Sequence, residues 1–371
     1  MQNSGFNLLT LLFGVLSFFQ SSAYAELSQK VVENRIQTFV KTKPVKAMIY
    51  GLWINDQPIS VGALGESMTA VPASPDMYFR IGGVMETMLT TVLMQLVEQN
   101  RLKLDDKVAL WYPKLPNAEK VTVKMLANCT SGYPDYIYNK EFAKLGLKQP
   151  FKQWTEKELL DYAFKEPFSF QPGTSQHYSH TDYLILGSIL AKVADKPPGE
   201  LLQSNILQPL SMNKTQFGLT AKMPSPVLHS FVNYRAIFED STFWDPSWVM
   251  NSGTMVSTIE DLGKWGNTWL QGSLLTAEST KQLRAPDTVG KGKNRADSYF
   301  AMGFVVINHW LIQNPDFGGY SGIFAVLPEK NLVFIAYNTS TADNKTNSNL
   351  SLTLFQELVS DLAPEFPLFK P

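Results

Sequence analysis

The sequence predicts an α+β fold in which an antiparallel sheet is flanked by helices and stands beside a mostly helical lobe. Three observations support this. Strand-like runs occur near both ends of the chain, amphipathic helical patterns accompany them, and the long middle segment is helical and aromatic. Because strands from both ends would complete one sheet, we expect a single domain of two lobes. The sheet lobe would comprise residues 26–85 and 250–371, and the helical lobe residues 86–249.

The first elements of the chain show a helical and then a strand-like periodicity. Apolar residues from Leu27 to Val40 recur at steps of three and four, which is typical of an amphipathic helix. Two short strand-like runs follow, Ala47–Trp53 and Pro58–Leu64, and the turn signal between them predicts a hairpin. We expect one further extended piece, over 77–81, before the first long helix.

The first long helix is predicted to open at Gly82-Gly83 and to end at Asn100, with apolar residues along one face. Aromatic segments that prolines interrupt follow until about residue 250, with helical patterns between them. The other predicted elements are helices over 183–194, 258–270 and 350–362 and strands over 300–307, 323–327 and 332–338.

The first 25 residues have the composition of a signal peptide. They contain no charged side chain, and the apolar run from Phe6 to Phe19 is shorter than the ~20 residues that cross a bilayer as a helix. The segment ends in an Ala-x-Ala pattern, so we expect cleavage after Ala25. The remaining chain would have no stable membrane span and would be exported to a bacterial periplasm or secreted. An uncleaved N-terminal anchor is the alternative.

The composition of the whole chain excludes two classes of protein. With 44% hydrophobic residues, the 371-residue chain is too apolar for a disordered protein and long enough to bury a large core. Its 32 basic and 33 acidic side chains give a net charge of -1, without a basic block. Because basic patches supply most of the affinity for nucleic acids, we expect no nucleic-acid partner. Since Cys129 is the only cysteine, no intramolecular disulfide can form.

Several stretches occur in an order that resembles one known family. The stretches are Tyr78–Gly82, Leu104–Val108, Thr130–Tyr136, Pro172–Thr174, Tyr183–Gly187, Pro209–Met212, Ser252–Leu262 and Met302–Phe304. Together they resemble the serine β-lactamase and penicillin-binding-protein family, in the branch of class C β-lactamases, D-alanyl-D-alanine carboxypeptidases and related esterases. The resemblance covers roughly residues 30 to 340. It implies a β-lactamase-like fold with a cleft between the sheet and the helical lobe.

The residues that carry catalysis in this family are replaced. The family's first motif is Ser-x-x-Lys at the start of the long helix, and the matching positions here are Gly83 and Glu86. Residues three apart lie on one side of a helix, so in the family the lysine amine can take the proton of the attacking serine. Glycine has no atom with which to attack, and a carboxylate reverses the local charge. The resemblance therefore favours an inactive protein with no intact catalytic residue.

The second and third family motifs are also altered. The family's Tyr-x-Asn appears as Tyr178-Ser179-His180, which keeps a phenol whose pKa a neighbouring carboxylate would raise. The Lys-Thr-Gly or His-Thr-Gly motif aligns with Asp316-Phe317-Gly318, so the charge is inverted there too. Cys129 stands where many relatives have a histidine. The degenerate catalytic positions are Gly83, Glu86, Tyr178, His180 and Asp316.

Glu86, His180 and Cys129 each allow a structural interpretation. Exposed backbone N–H groups stabilise an acidic residue in the first turn of a helix, and we favour this role for Glu86 over that of a general base acting on water. His177 and His180 form a His-x-x-His pair, which is a weak indication of a metal site because no matching carboxylate motif accompanies it. We therefore predict neither a metal nor a cofactor. Cys129 is interpreted as a small buried apolar residue.

Three functions are consistent with these replacements. The first, which we favour, is a catalytically silent relative whose cleft binds a peptide, a peptidoglycan fragment or a partner protein. The second is a hydrolase of amides or esters in which Glu86 activates water and Tyr178 or His180 handles the second proton. The third is a structural or interaction protein whose cleft is filled by Phe317 and Tyr320. The predicted cleft residues are Glu86, Tyr178, His180, Phe317, Gly318 and Tyr320.

Overall fold

The computed structural model describes residues 26, 28–344 and 348–369, so the predicted signal peptide, residues 1–25, lies outside the described residues. Within these ranges, no helix has the length and hydropathy of a membrane span. A helix over 28–42 (α1) comes first, followed by the long antiparallel strands Val45–Ile54 (β1) and Gln57–Met68 (β2). Asn55 and Asp56 between the strands have positive φ angles, as a tight hairpin turn requires. The predicted helix and hairpin are confirmed.

The rest of the chain follows the predicted order of strands, middle helices and C-terminal strands. The first part contains β3 (Val71–Pro72), β4 (Phe79–Arg80), α2 (Val84–Glu98), α3 (Val123–Ala127), α4 (Lys140–Lys148), α5 (Glu156–Ala163), α6 (His180–Ala194), α7 (Pro198–Leu202), β5 (Phe231–Val232) and β6 (Glu239–Asp240). The second part contains β7 (Val256–Ser257), α8 (Ile259–Gln271), α9 (Ala277–Leu283), β8 (Ser298–Phe300), β9 (Val305–Ile307), β10 (Trp310–Gln313), β11 (Asp316–Phe317), β12 (Tyr320–Leu327), β13 (Leu332–Ser340) and α10 (Leu350–Leu362). The four long predicted helices correspond to α2, α6, α8 and α10.

Nine strands of the described chain form one sheet, and its centre joins the two ends of the chain. The strand order is β3-β2-β1-β13-β12-β10-β9-β8, and β11 also pairs with β12. The central strands β1 and β13 are antiparallel, from Val45 opposite Ser340 to Ile54 opposite Leu332. The predicted α+β fold, a mainly antiparallel sheet flanked by helices, is confirmed.

Helices cover both faces of this sheet because successive side chains of a strand point to opposite faces. Met48 and Phe334 lie on one face and pack in a core with apolar residues of α1 and α10. Ile49 and Val333 lie on the other face and share a core with α2, α6 and α8. Helix α2, which begins next to Gly83, therefore shares its core with one face of the sheet.

The sheet differs from the sequence prediction in several places, and the short strand β3 is among the strands that were not predicted. The predicted strand over 300–307 is a hairpin of β8 and β9, because Gly303 turns the chain with a φ of 89°. Strand β10 was not predicted at all. Its four residues are all buried, so the strand lacks the alternation of apolar and polar residues by which a strand is recognised.

Candidate functional site

The first turn of α2 faces a cavity of about 300 Å³. Gly82 turns the chain from β4 into the helix with a φ of 51°, a left-handed conformation that favours glycine. Gly83 follows at the helix start, and a Cβ atom on it would lie 2.8 Å from Oε1 of Gln313. The residues that line the cavity include Gly83, Glu86, Tyr178, His180, Trp248, Ser252, Gln313, Asn314, Asp316 and Phe317.

Glu86 lies at the bottom of this cavity with its carboxyl group bonded on both sides. Its side chain accepts hydrogen bonds from the Tyr178 hydroxyl at 2.5 Å and from Nε2 of Gln313 at 3.3 Å. The residue is 1% exposed, and this burial raises its pKa well above the ordinary value, with a further contribution from the charge of Asp135. Burial therefore favours the protonated form of Glu86. The structure pairs its carboxyl group with Tyr178 and Gln313, and the role of Glu86 as an acidic residue that complements exposed helix N–H groups stays a prediction.

Tyr178 lies in the segment just before α6 and closes one side of the cavity. Burial raises the pKa of its phenol well above the ordinary value, and the charge and hydrogen bond of Glu86 raise it further. The predicted proximity of a carboxylate to this phenol is confirmed by the contact with Glu86. Tyr178 is therefore a hydrogen-bond donor and does not supply a basic phenolate.

His180 is the first residue of α6, and its ring lies between aromatic neighbours and an acidic partner. Its Nδ1 atom is 2.9 Å from Oδ2 of Asp135, whose side chain is only 2% exposed. The ring centroid lies 5.0 Å from that of Tyr178 and 6.1 Å from that of Trp248. Asp135 is not among the predicted site residues, although it belongs to a stretch that resembles the family. The pairing itself joins positions 45 residues apart, and no local pattern shows it.

Another wall of the cavity is formed by β11, which carries Asp316 and Phe317. The Phe317 ring stacks on Trp248 with 5.5 Å between centroids and 18° between planes. Phe317 therefore forms part of the cavity wall and leaves the space open. Asp316 precedes it at the rim, where desolvation raises the pKa of its carboxyl group to about 6. The cavity thus combines a stacked aromatic wall with an acid that changes charge near neutral pH.

Two of the predicted cleft residues lie elsewhere. Tyr320 is 1% exposed, and its hydroxyl donates a hydrogen bond to the carbonyl of Leu228 at 2.5 Å, inside the core. The carbonyl of Gly318 accepts hydrogen bonds from the hydroxyls of Ser230 and Ser241, and Gly318 lines a neighbouring pocket. The structure therefore brings Glu86, Tyr178, His180 and Phe317 together, and corrects the placement of Tyr320 and Gly318.

The hydroxyl and thiol groups near the cavity are occupied or shielded. Ser252 lines the cavity, but its hydroxyl donates to the carbonyl of Val249 at 2.6 Å. Thr87 and Thr90 of α2 donate to backbone carbonyls of their own helix at 2.7 and 2.9 Å. Cys129 is fully buried, as predicted, and burial raises the pKa of its thiol well above the ordinary value. None of these four groups is poised to attack a carbonyl group.

The described residues also contain no cluster of three or more histidine, cysteine, aspartate or glutamate side chains that could hold a metal ion. His177 is exposed on the surface, whereas His180 bonds to Asp135. The two histidines therefore do not share a site.

Comparison with known proteins identifies relatives over most of the chain. The family described as Beta-lactamase matches residues 32–354. Penicillin-binding protein 4* of Bacillus subtilis (strain 168) is 23% identical over 240 residues, which cover 60% of this chain and 51% of that protein. Beta-lactamase-like protein 4 of Dictyostelium discoideum is 24% identical over 355 residues, covering 86% and 61%. The chain spans about half the length of the first curated relatives that it matches.

Solved structures share the fold at low sequence identity. A D-stereospecific amidohydrolase from Streptomyces sp. superposes with a TM-score of 0.76 at 23% identity, covering 91% of this chain and 98% of that one. D-amino acid amidase from Ochrobactrum anthropi SV3, complexed with L-phenylalanine, gives a TM-score of 0.76 at 22% identity, covering 92% and 98%. At these identities the likeness shows the fold and carries no information about the substrate.

Proposed function

Because the chain belongs to the β-lactamase family, we propose that it is a catalytically silent member which binds a peptide or a peptidoglycan fragment in the cavity at the start of α2. One observation carries this proposal. The position from which the family's serine attacks is Gly83, and it faces an open cavity. The signal-like composition of the first 25 residues supports a place in the cell envelope, outside the cytoplasm.

The chemistry of the residues in the cavity supports the proposed absence of acyl-transfer activity. Acyl transfer needs a nucleophile, a base and donors for the oxyanion. Gly83 supplies no nucleophile. Burial raises the pKa of the Glu86 carboxyl group and of the Tyr178 phenol. Raised pKa values favour the protonated forms, which disfavours both groups as the base that takes a serine proton.

Binding is supported by the open volume and by the character of the walls. A cavity of about 300 Å³ is at the lower end of the range of small-molecule sites, ~300–1,000 Å³, so it fits one end of a peptide better than a folded partner. Peptides offer both amides and apolar side chains, which match the polar side of the cavity at His180 and its aromatic side at Trp248 and Phe317. The open space argues against a filled cleft.

Neither the wild-type protein nor Gly83→Ser is expected to form a covalent adduct with a penicillin. The new serine would have a hydroxyl group but no amine at the position of the family's lysine, and the raised pKa values of Glu86 and Tyr178 favour the protonated forms of both groups. Its Cβ atom would also crowd Gln313. Intact-protein mass spectrometry after incubation with benzylpenicillin should show no added mass in either protein. A mass increase on the peptide that contains position 83 of Gly83→Ser would show that a group of the cavity can take the proton of the new serine.

A second candidate function, hydrolysis of an ester or amide by water, is favoured by the pair of His180 and Asp135. The carboxylate is 2.9 Å from Nδ1 and orients an imidazole that lines the cavity, an arrangement in which a histidine can act as general base. Wild-type protein is assayed with a p-nitrophenyl ester and a D-amino acid p-nitroanilide. Turnover that falls at least ~tenfold in both His180→Gln and Asp135→Asn would replace the silent function with this one.

A muropeptide that ends in D-alanyl-D-alanine is expected to bind the wild-type protein, and Val305→Trp is expected to weaken this binding at least ~tenfold. Val305 is partly exposed on β9 and lines the cavity, so an indole there would occupy the ligand's space. Isothermal titration calorimetry measures the affinity. Val61→Trp, on the distant strand β2 and 41% exposed, is the matched control and should bind as the wild type does. Equal affinity in both variants would place the ligand outside the cavity.

A further inference from the structure

A larger pocket of about 680 Å³ adjoins the central cavity at the stack of Trp248 and Phe317, which lines both spaces. Its volume lies well within the range of small-molecule sites. Most of its remaining wall is apolar, with contributions from Phe142, Leu147, Trp154 and Trp244. An apolar body of several carbon atoms therefore has both room and contacts in this pocket.

Arg80 of β4 is the cation of this pocket, and it is incompletely paired. The residue is 2% exposed, and Nη1 of its guanidinium has no hydrogen-bond partner among the described residues. Nη2 reaches only the carbonyl of Thr220, at 3.4 Å. The arginine ion pairs within 4.0 Å in the described chain belong to other residues, namely Arg35, Arg235 and Arg295. A buried charge normally has a paired counter-charge, so the site lacks an anion.

We propose that this pocket binds a carboxylate amphiphile, with its carboxylate on Arg80 and its apolar body against the aromatic walls. The planar guanidinium fork matches the two oxygens of a carboxylate, and such charge-assisted hydrogen bonds are stronger than neutral ones. The site goes beyond the proposed function, since it exists whether or not the central cavity binds a peptide.

The charges around Arg80 decide between an anionic and a cationic ligand. Two carboxylates also line the pocket, Asp245 and the exposed Asp316 at its rim, but neither forms an ion pair with Arg80 within 4.0 Å, so Nη1 at the buried end of the pocket stays unpartnered among the described residues. Aromatic walls alone would also attract an organic cation. The guanidinium behind Phe317, whose ring centroid is 5.9 Å from it, opposes a cation and attracts an anion.

Isothermal titration calorimetry of the full chain at pH 7.5 tests the head group with three ligands of equal chain length. Decanoate is expected to bind, and decan-1-ol and decyltrimethylammonium are each expected to bind roughly tenfold or more weakly, because neither offers an anion to Arg80. Arg80→Met is expected to remove the preference for decanoate over decan-1-ol. Arg80→Lys keeps the positive charge but loses the planar guanidinium group, so it should retain part of the preference for decanoate over decan-1-ol.

A pair of variants at Gly146 tests the place of binding without touching Arg80. Gly146 lies in α4 and lines the pocket, and a Cβ atom on it would meet no other atom within 4 Å. Gly146→Phe should therefore fold and occupy the pocket, which weakens decanoate binding roughly tenfold or more. Gly146→Ala is the matched control and should bind as the wild type does. Since neither variant alters the central cavity, both should keep the muropeptide affinity of the wild type.

Three results would overturn the proposal. The first is a wild-type protein that does not bind decanoate. The second is equal or tighter binding of decan-1-ol or decyltrimethylammonium, which would remove the role of Arg80. The third is unchanged decanoate affinity in Gly146→Phe, which would place the ligand elsewhere. If Arg80→Met fails to fold, the affinities of the wild-type protein for the three ligands and the comparison of Gly146→Phe with Gly146→Ala still test the proposal. Loss of muropeptide binding in Val305→Trp with decanoate binding intact would show that the two sites are separate.

Discussion

Replacing Glu86 by glutamine is expected to raise the free energy of unfolding by about 1–3 kcal/mol at pH 8. Burial raises the folded-state pKa of Glu86 well above 4.5, so the folded protein holds a proton that the unfolded chain releases. Stability from such a group is fully present below the unfolded pKa and declines as the pH rises towards the folded pKa. Glutamine cannot ionise, and it still accepts the hydrogen bond of Tyr178. The free energy of unfolding of Glu86→Gln should therefore lack the decline with rising pH that the ionisation of Glu86 causes in the wild type.

Urea unfolding of both proteins at intervals between pH 5 and pH 9 measures the difference. The gap between Glu86→Gln and wild type should widen as the pH rises. Glu278→Gln, at an exposed position of α9, serves as the control and should follow the wild-type profile within about 0.5 kcal/mol. A gap that stays constant or narrows with rising pH would mean that Glu86 is ionised in the folded protein.

Gly303→Ala is expected to lower the free energy of unfolding by about 2–4 kcal/mol. Gly303 has a φ of 89°, and its Cβ atom would lie 2.9 Å from the backbone oxygen of Glu86 and 3.0 Å from Oγ1 of Thr90. A methyl group there would push β8 and β9 away from the first turn of α2. The carbonyl of Gly303 also accepts a hydrogen bond from Gln313, so the contact of Gln313 with Glu86 should weaken too.

Urea unfolding of Gly303→Ala measures this loss in the free energy of unfolding, and Gly146→Ala serves as the control. That glycine is helical and has open space around it, so alanine there should be neutral or stabilising by up to ~1 kcal/mol. Similar stabilities of the two alanine variants would show that the turn at Gly303 relaxes around the new methyl group.

Much of the fold could be predicted because its elements carry local patterns. The hairpin of β1 and β2 has a turn signal between two apolar runs, and α10 has the periodicity of an amphipathic helix over its whole length. Strand β10 has neither signal, because it is short and buried on both faces. The hairpin at Gly303 was predicted as one strand because a single glycine inside an apolar run does not show whether it turns the chain.

The site could be predicted only in part, for a different reason. The family motifs placed Glu86, Tyr178, His180 and Phe317 at the cleft, because each motif is local in sequence. Gln313, which bonds to Glu86 across the cavity, belongs to the unpredicted strand β10. The protonation of Glu86 depends on burial and on partners far along the chain, which no local pattern contains.

The pairing of β1 with β13 has a consequence for the way the protein is made. Its two central strands are separated by residues 55–331, so the centre of the sheet closes only after β13 has been synthesised. Closing so long a loop carries an entropic cost before any contact offsets it, and proteins dominated by remote pairings fold slowly. A growing chain on the ribosome therefore lacks its central strand pair until Leu332–Ser340 has emerged, and a truncation before Leu332 would leave β1 as an exposed edge prone to aggregation.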